Sequence, residues 1–209
     1  MTNAYGDHPP MDLGPGWIAV ALGRDVEPGV AVPAIVGGRE IVLWRTESGV
    51  LQAWVDRCPH RGMRLSLGFV RGESLSCLYH GWRYGADGGC IGIPAHPDLV
   101  PPRTITATTY PVIEAAGLIW LALGDAAGTP PAPDGAWTGA ISVTIDRDAA
   151  SVAAALDDAA GRFAAVQPVL PGRARLHVAV ADGGDAIAAC LWAEDVRRRL
   201  EIPLLAAAE

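Results

Sequence analysis

The stretch "CPHRGMRLSLGFVRGESLSCLYHGWRYGADGGCIGIPAHP", residues 58–97, contains Cys58-x-His60 and, after sixteen intervening residues, Cys77-x-x-His80. Gly62 follows the first pair through Arg61, and Gly81 follows the second directly, ahead of Trp82. Glycine permits the left-handed backbone of a tight turn, so two short loops can converge on one metal centre. Two Cys and two His suit tetrahedral zinc, but zinc fingers pair Cys with Cys and His with His. Here each loop mixes one Cys with one His.

That mixed arrangement resembles the Rieske [2Fe–2S] centre, in which two Cys hold one iron and two His replace Cys on the other. The likeness extends to the "CPHRG", "YHGW" and "IPA" segments and runs from about Trp17 to Pro97. Over that span the chain resembles the Rieske domain of ring-hydroxylating and demethylating oxygenase large subunits. The resemblance implies that Cys58 and Cys77 hold the inner iron and that His60 and His80 hold the outer one. Arg61, Gly62, Gly81 and Trp82 would then surround the cluster. Respiratory Rieske proteins carry an extra Cys in each loop, joined as a disulfide, and a Ser after the second loop glycine. Met63, Tyr79 and Trp82 stand at those positions here. Losing the disulfide and hydroxyl removes groups that favour the reduced cluster, so the expected potential is roughly −150 mV rather than +300 mV.

Outward from the motif, "WIAVAL" and "REIVLWRTESGVLQAWVD" read as strands broken at Gly37-Gly38 and at Glu47-Ser48-Gly49. "TTYPVIEAAGLIWLALGD" reads as a hairpin turning at Ala115-Ala116-Gly117. Residues 124–137, rich in Pro, Gly and Ala, read as a linker. "AISVTI" and "RARLHVAVA" beyond it look like strands, and the tail looks mixed. The expected fold is a mainly β Rieske-type domain over 1–123, then a small α+β remnant of an oxygenase catalytic domain over 138–209.

The chain has 209 residues, half of them hydrophobic, and a net charge of −7. That balance argues against a nucleic-acid or anionic-membrane partner. No signal-peptide pattern or bilayer-length apolar run is evident, which points to the cytoplasm. In that compartment four cysteines argue for metal before disulfides. Cys90 and Cys190 read as small buried hydrophobes. His96 reads as a loop histidine, and His8 carries no role.

"SVAAALDDAAGRFAAVQP", residues 151–168, reads as an alanine-rich helix stopped by Pro168. In the oxygenases a helix carries Glu-Asn-x-x-Asp-x-x-His and a second His, which bind a mononuclear iron. With Asp157 placed on the family Asp, Ala153, Ala154, Ala160 and Ala165 fall on the other positions. Only one histidine, His177, follows the linker, so no two-His-one-carboxylate site is expected there.

The resemblance therefore implies an electron-transfer protein. It would take electrons from a reductase or ferredoxin and deliver them, within a trimer or hetero-hexamer, to an iron-bearing oxygenase subunit. Asp157 would be an inter-subunit electron bridge. The alternatives are a self-sufficient oxygenase with an atypical metal site, and a stand-alone ferredoxin or structural subunit.

Overall fold

The structure is a computed structural model that describes residues 9–124, 128–157 and 161–206, with side chains through Ile202. Packing divides the chain into two units that interleave along its length: Met1–Arg24, Ile35–Gly38 and Glu114–Glu209 form one, and Asp25–Ala34 with Arg39–Ile113 form the other.

The second unit holds the Cys/His loops. Strands β2 (Ala31–Val36), β3 (Arg39–Arg45), β4 (Leu51–Val55) and β9 (Thr109–Tyr110) form one sheet in the order β2-β3-β4-β9. A second antiparallel sheet contains β5 (Phe69–Arg71), β6 (Ser74–Ser76), β7 (Arg83–Gly85) and β8 (Cys90–Gly92) in chain order. Its pleat sends Val70, Leu75 and Tyr84 inward, where they join Trp44, Trp54, Leu65, Cys58 and Cys77 in one core.

In the first unit, β1 (Trp17–Leu22), β10 (Val112–Ala115) and β11 (Leu118–Ala122) form a sheet in the order β1-β11-β10. The two-residue connection Ala116-Gly117 has φ of 50° and 70°, the positive pair that a tight hairpin turn requires. A Cβ on Gly117 would also come within 2.5 Å of the Gly139 backbone nitrogen, so glycine is needed twice over. β12 (Trp137–Ile145), β13 (Arg162–Leu170) and β14 (Arg173–Ala181) form the other sheet, with β14 central. Leu176, Val178 and Val180 of β14 pack with Ala189, Ala193 and Val196 of α2 (Ala186–Ala206). Ala179 packs on the opposite side with Ala19, Leu22, Leu118 and Trp120. Strand alternation thus gives β14 two buried faces.

The helix expected over 151–168 is not formed. α1 spans only Ala149–Ala154, with the Asp148 carboxylate accepting from the Ser151 N–H at 2.9 Å as its N-cap. Residues 162–170 are strand, paired antiparallel with β14 from Arg162↔Val180 to Leu170↔Arg173. Alanine's helix preference amounts to tenths of a kcal/mol per residue, and a full strand ladder with buried partners outweighs it. Pro168 is tolerated because β13 is an edge strand, and the carbonyls of Pro168 and Val169 accept from Gly37 and Gly38 N–H. Ala165, aligned with an iron-binding His, lies opposite His177 in this ladder. Asp158 and Ala160 lie outside the described residues. Of the tail expected as mixed, Ala186–Ala206 form the single helix α2.

Candidate metal centre

Both Cys/His loops close in the same way. Cys58 N–H donates to the Met63 carbonyl at 2.7 Å, and Gly62 N–H donates back to the Cys58 carbonyl at 2.8 Å. Cys77 N–H donates to Trp82 O at 2.9 Å, and Gly81 N–H to Cys77 O at 2.9 Å. Each glycine stands four residues after its cysteine with positive φ, 72° at Gly62 and 69° at Gly81. The loops thus share a backbone frame although the histidine falls two residues after one cysteine and three after the other.

This frame sorts the four side chains into two pairs. Cys58 and Cys77 are 3% and 2% exposed and belong to the same apolar core. His60 and His80 lie at the surface end, ring centroids 4.7 Å apart. Among the described residues no three His, Cys, Asp or Glu side chains converge as a single-ion site. Two thiols below two imidazoles fit a two-iron centre, with two protein ligands per iron, better than a tetrahedral zinc.

Burial, with Cys58 adjacent, pushes the Cys77 thiol up. Partial desolvation, then the neighbouring His80 and Arg61, push His60 below the ordinary imidazole value and favour its neutral form. Neutral imidazole is the form that binds a metal.

The surrounding residues fall into an inner and an outer group. Trp82 stacks on His60 with ring planes 6° apart and centroids at 4.0 Å. Tyr79 lies against His80 at 3.8 Å and is 58% exposed. Met63 packs against the core that holds the cysteines. Arg61 is exposed. The first loop is braced from below, where Glu40 pairs with both Arg57 and Arg64. Buried Asp56 accepts from Ser66 N–H at 2.7 Å and from its hydroxyl at 2.6 Å.

Trp82 replaces the Ser hydroxyl, but another hydroxyl lies close to the cysteines. Tyr84, fully buried on β7, places its Oη 3.1 Å from Cys58 Sγ, and burial then Cys58 raise its pKa, so the phenol keeps its proton. The sequence signal for it was the second tyrosine of "YHGWRY", two residues past Trp82.

The remaining candidates lie elsewhere. Asp157 follows α1 in a loop; its carboxylate accepts from Trp192 Nε1 at 2.8 Å and pairs with Arg162 at 3.1 Å. The Arg162 guanidinium stacks over the Trp192 ring at 3.7 Å. His177 is buried in the β14 ladder. Cys90 is half-buried on β8 and Cys190 half-buried on α2; His96 is exposed; His8 lies outside the described residues.

Residues 16–111 match the Rieske [2Fe-2S] domain. The oxidoreductase NdmD of Pseudomonas putida is 44% identical over 115 residues, which are 54% of this chain and 20% of that protein. A 4beta-methylsterol monooxygenase of Methylococcus capsulatus is 42% identical over 121 residues, 54% of this chain and 32% of its own length. The oxygenase component of a chloroacetanilide N-alkylformylase from Rhizorhabdus wittichii is 41% identical over 117 residues, 56% and 33% respectively. The chain thus spans a fifth to a third of these relatives. In fold it resembles Pseudomonas putida NdmA, with a TM-score of 0.67 and 19% identity over 90% of this chain and 79% of that one. Dicamba monooxygenase gives a TM-score of 0.65 at 18% identity over 78% of this chain and 74% of that one. The fold likeness therefore continues past residue 111 into the β12–α2 region.

Proposed function

Residues 16–111 of this chain are a Rieske [2Fe–2S] domain, and from that premise we propose that the protein is a cytoplasmic electron-transfer component of a Rieske-type oxygenase system. Its cluster would be held by Cys58 and Cys77 on one iron and by His60 and His80 on the other. When bound, the cluster supplies one-electron redox chemistry. The observation that carries the reading is the division of the ligands into a buried thiol pair and a surface imidazole pair. Cys58 and Cys77 lie within an apolar core that keeps water from the sulfurs. Tyr84 Oη lies 3.1 Å from one of those sulfurs, in reach to donate to a cluster thiolate, and Trp82 covers one face of His60. The two histidines are left at the surface, where electrons enter and leave.

In this reading a reductase or ferredoxin is the donor, and the mononuclear iron belongs to a partner chain in a trimer or hetero-hexamer. The supporting observation is that His177, the one histidine after residue 137, is occupied on both ring nitrogens by Ser142 and Gln167. The reading gives Asp157 the role of inter-subunit bridge. Its side chain is 66% exposed, so a partner can reach it, although Trp192 and Arg162 already engage it.

Iron and sulfide analysis of the purified chain tests the proposal. Two irons and two sulfides per chain are expected. Three irons would mean a second metal site and a self-sufficient oxygenase. His80→Ala in a reconstituted system is expected to abolish partner turnover while assembly persists. Unchanged turnover would reduce the cluster to a structural role.

A further inference from the structure

The four-stranded sheet β5-β6-β7-β8 has an inner face and an outer face with different chemistry. Its ladder aligns Phe69↔Ser76 and Ser76↔Arg83 across β5, β6 and β7, then Arg83↔Gly92 into β8. Arg71↔Ser74 forms the neighbouring row. Residues two apart share a face, so Phe69, Arg71, Ser74, Ser76 and Arg83 all point away from the core that holds the cysteines. They form the floor of an open groove of about 490 Å³, walled by Ile93, Pro94, Pro97 and Leu99, with Gly81 at one end. Gly81 adjoins His80, so the groove begins at the loop that carries a surface histidine.

The charge in this groove has one sign. Arg71 and Arg83 line it, and no Asp or Glu does. Arg71 lies over the Phe69 ring at 4.8 Å, and neither guanidinium has an ion-pair partner among the described residues. Gly92 admits Arg83, because a Cβ there would stand 2.7 Å from Arg83 Nη2. The unit's composition sharpens the contrast. Asp25–Ala34 with Arg39–Ile113 contains eight arginines and eight acids, so the net −7 of the chain falls entirely on the other unit. Three of its acids are engaged elsewhere: Glu40 by Arg57 and Arg64, Glu73 by Ser48, and Asp56 by Ser66.

The groove is also rimmed by apolar surface. Ile91 and Leu99 are 53% and 52% exposed, and Leu78 and Tyr79 are exposed on the adjoining cluster loop. Exposed apolar residues around unpaired arginines are the composition of a protein interface. A small anion would cover only the floor and leave this rim in water.

We propose that this groove is the docking site of a protein electron donor that presents acidic side chains, its carboxylates pairing with Arg71 and Arg83. The proposal rests on the electron-transfer reading and adds the chemistry of the partner: acidic, despite the negative charge of the chain as a whole. Docking there brings the donor's redox group beside the His80 loop. One electron leaves the reduced donor and one enters the oxidised cluster; no covalent bond forms or breaks. Arginine suits the task because its planar fork binds a carboxylate through two parallel hydrogen bonds.

The test uses the full cluster-loaded chain, the double variant Arg71→Glu/Arg83→Glu, and an acidic plant-type [2Fe–2S] ferredoxin as probe. Binding of the oxidised ferredoxin is measured by calorimetry at low and high salt, and cluster reduction by stopped flow. The expected result is a Kd raised ~10-fold or more in the variant at low salt, with the wild-type advantage shrinking as salt rises. The ferredoxin reduction rate should fall in parallel, while reduction by photoreduced deazariboflavin, a small neutral donor, stays unchanged. Equal ferredoxin binding and rates in both proteins would overturn the groove and leave electron transfer standing. A change in the oligomeric state of the variant alone would assign the groove to a second copy and also overturn the proposal. So would wild-type-only binding of benzoate with an indifferent ferredoxin rate. If neither donor reduces the wild-type cluster, the electron-transfer reading itself falls.

Discussion

Tyr84 Oη stands 3.1 Å from Cys58 Sγ, with both side chains buried, so the phenol is placed to donate to this sulfur once it is a deprotonated cluster ligand. Donation to a sulfur stabilises the reduced, more negative state and raises the potential. Tyr84→Phe keeps the ring and removes the donor. The potential of the variant is expected to fall by tens of mV, ~60 mV if the bond favours the reduced state tenfold. Redox titration of both proteins checks this; identical potentials would show that the hydroxyl does not distinguish the two oxidation states. The wild type itself is expected near the low end of the Rieske range, roughly −150 mV, and a clearly positive value would contradict that.

Gly62 and Gly81 have the same role in equivalent loops but different surroundings. A Cβ at Gly62 meets nothing within 4 Å, whereas one at Gly81 would come to 3.1 Å from Pro94 Cγ. Gly62→Ala is expected to cost only left-handed backbone strain, ~1–2 kcal/mol. Gly81→Ala should cost more and lower the Tm further, as thermal melts of the two cluster-loaded variants would show.

His177 is fully buried, and its hydrogen bonds fix its tautomer. Gln167 donates its amide to the Ile35 carbonyl, so its oxygen must accept from His177 Nε2–H, and Nδ1 then accepts from the Ser142 hydroxyl. Burial, then Arg175, lower its pKa to about 3 from 6.5. The unfolded chain therefore takes up a proton below pH 6.5 that the folded chain refuses down to about pH 3. Stability from this group is complete above 6.5 and is lost as pH falls, by ~2 kcal/mol at pH 5. Urea midpoints measured from pH 8 to 5 should drop accordingly. His177→Gln should flatten the dependence across that window, at the cost of a lower midpoint at pH 8.

Asp157→Asn keeps an oxygen to accept from Trp192 Nε1 but removes the charge that faces Arg162. If the carboxylate is only a local brace, the variant should retain the wild-type Tm and electron delivery to a partner. If Asp157 also bridges subunits, delivery is expected to slow several-fold at unchanged Tm. Single-turnover kinetics with the partner oxygenase would separate the two outcomes.

Much of the second unit was legible because its chemistry is local. Alternation and turn residues identified β3 and β4, and the glycine spacing identified loops whose hydrogen bonds close within six residues. "RARLHVAVA" coincides with β14 because its alternation is strong on both faces. Residues 162–168, expected as the continuation of the helix, are strand for the opposite reason. Their fate depends on pairing with a strand that comes later in the chain, and an alanine-rich composition carries no trace of that partner. α2 was hidden by weak amphipathicity and by Pro203 within it. The arginine groove escaped notice because Arg71 and Arg83 lie twelve residues apart and meet only through the ladder of β5, β6 and β7.

The apolar strip on which β1 and β11 meet Ala179 also limits how this protein can be taken apart. Ala19, Leu22, Leu118 and Trp120 bury themselves against β13 and β14, which follow residue 137. A chain cut after residue 123 would keep every proposed cluster ligand yet leave that strip bare to water. The cluster-bearing segment is contiguous in sequence without being a separable module. In any shorter relative, something else must cover the same strip, or the fragment will stick to its neighbours.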